Sequence, residues 1–165
     1  CDLATDHALA RAVVGKADYI ALVPCCQAEV AHSLKHSSHE DALKSLWASP
    51  HHRREFGAHL TNVMRTLALR SVGYTVSVTE LTGWEHSMKN ELILGRRVGR
   101  YQSQARTDLI NVLSETGLII HSDASHPLQP LPHSPWLITA LDELIARRDQ
   151  PLASTTEDQN TSSDN

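Results

Sequence analysis

Cys25 and Cys26 stand side by side at the end of an apolar run, in the stretch DYIALVPCCQAEV of residues 18–30. Adjacent thiols admit four chemistries: a redox pair, half of a metal site, a nucleophile, or the wall of a pocket. Consecutive Cα atoms lie about 3.8 Å apart, short of the roughly 4.4 Å a disulfide needs, so a redox pair is disfavoured. His32 and His36 follow at i, i+4, with His39, His51 and His52 beyond, and zinc takes such ligands. Neighbouring cysteines seldom reach one ion, however, and their spacing departs from zinc motifs, so no metal is expected. A nucleophilic thiol needs a lowered pKa, yet no basic residue flanks the pair. The reading that remains first is a pair of thiols shaping a pocket, with inert buried packing as the blander alternative.

Other residues with chemical potential are more scattered. Asp2 and Asp6 are available as general bases, but nothing in their spacing singles out either. Arg53, Arg54, Arg65 and Arg70 fall in one segment and GRRVGR spans 95–100; such residues suit phosphate, though a solvated charged face is the simpler explanation. The stretch TGWEHSMKN, 82–90, brings Glu85, His86, Lys89 and Asn90 into one loop.

These residues need elements to position them. ATDHALARAVV, 4–14, predicts a short helix with Thr5 and Asp6 as capping types and Gly15 as its stop. YIALV, 19–23, is a continuous apolar run ended by Pro24, the pattern of a strand covered on both faces in a parallel sheet. Helices are expected over 27–36 and 40–48, with Pro50 breaking the chain after them. The segment 53–74 carries Phe56, Leu60, Val63, Met64 and Leu67 at helical steps and is the strongest helix in the chain, stopped by Gly73. In YTVSVTEL, 74–81, apolar and polar residues alternate, which predicts a strand near a sheet edge. A further strand is expected over 91–99, a helix over 104–117, a short apolar segment at 117–123, and a capped helix at 134–148 after a proline-rich link. Residues 150–165 have the composition of a disordered tail.

The chain has 165 residues, 41% hydrophobic and 21% charged, with a net charge of −4 and three cysteines. That suits one domain, over 1–149, and no extracellular disulfide framework. A net negative charge offers no overall attraction to nucleic acid or anionic lipid. No stretch approaches the roughly 20 apolar residues of a membrane span, so no membrane partner and a cytoplasmic location are expected. Oligomeric state is left open.

Taken as a set, CDLATDHAL at 1–9, DYIALVPCCQAEV and TELTGWEHSMKNELIL at 79–94 resemble the C-terminal half of class I S-adenosylmethionine-dependent methyltransferases. The group resembled has a Pro-Cys-Cys-His/Gln strand end and a late Lys-Asn, and includes relatives of the tRNA 2′-O-methyltransferases. The resemblance implies an α/β fold: strands four to seven of a Rossmann-like sheet, the last one antiparallel, with flanking helices. Residues 18–24 would be the fifth strand, 74–81 the sixth and 89–99 the seventh. It further implies S-adenosylmethionine as cofactor, with Cys1, Asp2 and Thr5 on the cofactor side and Pro24, Cys25, Cys26, Gln27, Lys89 and Asn90 on the substrate side. The catalytic residue and the methyl acceptor stay unassigned, RNA being the acceptor suggested by analogy. The glycine-rich turn that normally holds this cofactor would lie before Cys1, so the chain is expected to be a fragment. Two competing readings are a self-contained Cys/His metal or interaction module and a methyltransferase fold kept as a scaffold.

Overall fold

The computed structural model describes residues 2–25, 27–37, 43–83, 90–119, 136, 137 and 140. The chain is mixed α/β: a three-stranded antiparallel sheet with helices flanking it. Helix α1 (Asp2–Val14) leads into strand β1 (Tyr19–Leu22); α2 (Glu29–Lys35), α3 (Lys44–Ala48) and α4 (Pro50–Ser71) follow. Strands β2 (Tyr74–Glu80) and β3 (Glu91–Arg97) and helix α5 (Ser103–Glu115) complete the described elements. The expected helix at 134–148 and tail at 150–165 lie outside the described residues apart from Trp136, Leu137 and Ala140.

Helix α4 organises the rest. Proline does not interrupt the chain at position 50: it occupies the first helical position, where its missing N–H costs no hydrogen bond. Ser49 supplies the cap, its side chain accepting from the His52 N–H. The buried stripe through Leu60, Met64 and Leu67 follows the periodic pattern visible in the sequence, whereas Val63 of that pattern is 45% exposed. It ends at Gly73, whose φ of +98° is a conformation that side chains resist. Along its length α4 packs against α2, α3, α5 and β2. It comes close to α2 at Gly57, where an added Cβ would stand 2.9 Å from the Ala31 nitrogen.

The sheet order is β1-β3-β2, with β3 antiparallel to both neighbours, so β1 and β2 run parallel to each other on either side of it. Tyr19 pairs with Arg96 and Leu22 with Ile93 on one side, Tyr74 with Arg97 and Glu80 with Glu91 on the other. The Tyr74 hydroxyl donates to the Ala17 carbonyl at 2.8 Å, tying the turn before β1 to the start of β2. As its alternation predicts, β2 lies at an edge. By contrast, β1 is not covered on both faces. Ile20 is buried against the helices, whereas Tyr19 is 76% exposed and Ala21 and Leu94 beside it are also open. An apolar run alone does not report which faces are covered, because Tyr and Ala read the same in either setting. All described helices lie over the face that carries Ile20, Tyr74, Val76 and Ile93.

Candidate functional site

At the C-terminal ends of β1 and β2 and the start of β3, a buried polar network joins segments that are far apart in sequence. Its centre is Arg65, whose side chain is fully buried. The guanidinium donates from Nε to Asp6 Oδ1 at 2.6 Å, from Nη2 to the Asp2 carbonyl and to Asp2 Oδ1, and from Nη1 to Asn62 Oδ1. Asp2 also receives the Glu29 N–H on Oδ2 at 2.7 Å. The α1 N-terminus and the α2 N-terminus are therefore held together by one carboxylate, in the position where the positive end of a helix favours it. Asn62 continues the network in two directions. Its Oδ1 accepts from Gln27 Nε2, which also reaches the Pro24 carbonyl, and its Nδ2 donates to the Glu91 carboxylate.

The network brings together Asp2, Pro24 and Gln27, three residues the sequence singled out. Pro24 and Gln27 are buried and shape the turn after β1 from within. Cys25 between them is exposed to solvent and forms no disulfide among the described residues; it is not inert buried packing. Thr5 lies half-buried on the first turns of α1. Asn90 is buried and braces the hairpin: its Nδ2 donates to the Thr82 carbonyl and its own carbonyl accepts the Leu81 N–H. Cys1, Cys26, Lys89, Glu85 and His86 lie outside the described residues.

Two carboxylates here are held above their ordinary range. Burial raises Asp6, outweighing the hydrogen bond and charge of Arg65, and the nearby Asp2 charge adds to the rise. Burial raises Glu29 as well, against the hydrogen bond its Oε1 accepts from the Trp136 N–H at 2.9 Å. In both cases the loss of hydration on burial is the physical reason, and the charge of Arg65 offsets it only in part.

Arg65 was the residue least legible in the sequence. Read as part of a solvated basic face, it is instead the most deeply buried polar group of the site. The available signal was its position: Arg65 falls between Met64 and Leu67, inside the apolar stripe. Arg70 likewise turns inward, donating to the Val76 carbonyl, and Arg53 caps the end of α3 through the Trp47 and Ala48 carbonyls.

Beside Glu91 opens a cleft of about 320 Å³ between α4 and the ends of β2 and β3, walled by Val63, Leu67 and Val78. His59 stands at its rim with Nδ1 3.8 Å from Glu91 Oε1. The rings of His32 and His36 are 5.0 Å apart, but among the described residues no three His, Cys, Asp or Glu side chains are grouped to hold a metal. No helix of the described residues is long and apolar enough to cross a membrane. Comparison with family models, curated proteins and solved structures finds no match for this chain.

Proposed function

We propose that the chain carries the C-terminal half of a class I methyltransferase domain that uses S-adenosylmethionine, its acceptor unassigned and RNA the one suggested by analogy. The observation that carries this reading is the convergence of the first turn of α1 with the turn after β1 at one end of the sheet. Arg65 and Asn62 hold both. Open α/β sheets bind ligands at that end. Two further features agree: the last strand runs antiparallel between two strands that are parallel to each other, and β2 lies at the margin.

In this reading the cofactor brings an already activated methyl group, and the protein's task is alignment and exclusion of water. The described residues do not by themselves fit an adenosyl group. Both oxygens of Asp2 are engaged by Glu29 and Arg65, and Asp6 is engaged by Arg65. None of the described glycines forms a glycine-rich strand-to-helix turn. What these residues do is tie Gln27 to the Pro24 carbonyl, with Cys25 exposed beside them.

The test is a calorimetric titration of S-adenosylmethionine into the full-length protein. Saturable binding at one site is expected, together with slower alkylation of Cys25 when cofactor is present, in a variant with Cys1→Ser and Cys26→Ser. An absence of binding at millimolar cofactor, or alkylation that ignores a bound cofactor, overturns the assignment.

A further inference from the structure

The face of the sheet turned away from the helices has an unusual composition. Across it, Tyr19, Arg96 and Thr75 form one rank, and Ala21, Leu94 and Ser77 the next. Leu92 and Thr79 continue the same alternation. No carboxylate lies among these residues, in a chain whose net charge is −4. Tyr19, Ala21, Thr75, Ser77, Leu94 and Arg96 line a shallow depression of about 390 Å³.

Arg96 decides what kind of occupant suits this face. It belongs to the central strand, and neither it nor Tyr19 makes a side-chain hydrogen bond or ion pair among the described residues. A covering layer of apolar side chains would strand the guanidinium without a counter-charge, which is costly. The occupant must therefore bring an anion, and beside it a flat group to meet the Tyr19 ring. Further cations, Arg97 and Arg100, follow at the same end of the sheet, where Arg97 engages Asp18 at 2.7 Å. The hydroxyls of Thr75 and Ser77 are exposed beside Arg96.

We propose that this open sheet face is a docking platform for single-stranded RNA. A base stacks on Tyr19, phosphates meet Arg96 and the cations beside it, and the threonine and serine hydroxyls meet ribose 2′-hydroxyls. An aromatic on a sheet whose described helices lie behind it, flanked by cations, is a sequence-tolerant stacking surface. The strand length from Arg96 to Leu92 spans about 14 Å, room for two or three bases. The inference does not rest on methyl transfer, since an oligonucleotide binds this face whether or not a cofactor is held elsewhere.

The experiment is fluorescence anisotropy of the full chain with a labelled ten-nucleotide oligo(U) at low salt. Saturable binding is expected, weakened about fivefold or more by Tyr19→Ala, the lower end of what one stacked base contributes. Arg96→Glu abolishes it, while Lys44→Ala, a cation on α3 away from the face, leaves it unchanged. The salt dependence has a log–log slope of about −2, corresponding to roughly three phosphates, and oligo(dT) binds more weakly than oligo(U). All three altered residues are exposed, so melting curves of the variants should match the parent. The proposal is overturned by absence of saturation, by Lys44→Ala weakening binding as much as Arg96→Glu, or by equal affinity for oligo(dT). Self-association of the chain that Arg96→Glu disrupts would assign the face to protein and overturn it too.

Discussion

Replacing Arg65 by methionine isolates what holds the candidate site together. The side chain is fully buried and serves four acceptor atoms: Asp6 Oδ1, Asp2 Oδ1, the Asp2 carbonyl and Asn62 Oδ1. Methionine fills much of the volume but leaves the Asp6 carboxylate, 2% exposed, with no counter-charge. Breaking a buried ion pair from one side costs about 3–5 kcal/mol. For a domain of this size each kcal/mol lowers the melting temperature by about 3 °C, so a fall of roughly 9–15 °C is expected. Arg65→Lys keeps the charge, yet a single ammonium does not reproduce the fork that reaches both carboxylates, and an intermediate loss is expected. The double variant Arg65→Met with Asp6→Leu removes both charges of the closest pair and should recover at least half of the loss, since an apolar pair of similar volume is nearly neutral. Urea unfolding followed by circular dichroism reads all three. If Arg65→Met costs less than about 1 kcal/mol, or if the double variant is worse than the sum of its parts, the network does not hold the site in the way described.

Two further outcomes follow from particular contacts. Gly57→Ala should destabilise the protein by about 1–3 kcal/mol despite alanine's better helix propensity, because the new Cβ meets the Ala31 backbone, which is slow to yield, at 2.9 Å; a stabilised variant in thermal melts would show that α2 and α4 are farther apart. Glu29 is raised from an ordinary value of 4.5 by burial, so the folded protein binds its proton more tightly than the unfolded chain does. The Glu29 contribution must therefore increase stability as pH falls through the raised value toward 4.5, and diminish as pH rises. Relative to Glu29→Gln, whose carbonyl oxygen still accepts the Trp136 N–H, the parent should gain urea stability on mild acidification. A parent that instead loses stability relative to Glu29→Gln over that range would reverse the sign.

Much of the local structure is dictated by neighbours along the chain. The apolar steps of α4, the glycine that ends it and the alternation of β2 all depend on spacing, and the elements appear within a few residues of where spacing places them. The family resemblance, rather than spacing, made Asp2, Pro24 and Gln27 candidates for one site, and Arg65 and Asn62 join them in one network. The role of Pro50 was misjudged because a proline reads as a break until its place relative to a cap is known; one residue after Ser49, it begins a helix. Which face of β1 is covered, where Arg65 points and which carboxylates it gathers depended on the tertiary structure alone. Arg65 and Asp6 are 59 positions apart, and no local pattern reports that an arginine will be withdrawn from water to meet partners at that distance. Spacing fixes which side of an element a residue occupies, but only packing decides what stands opposite, and the energy of a charge depends on that.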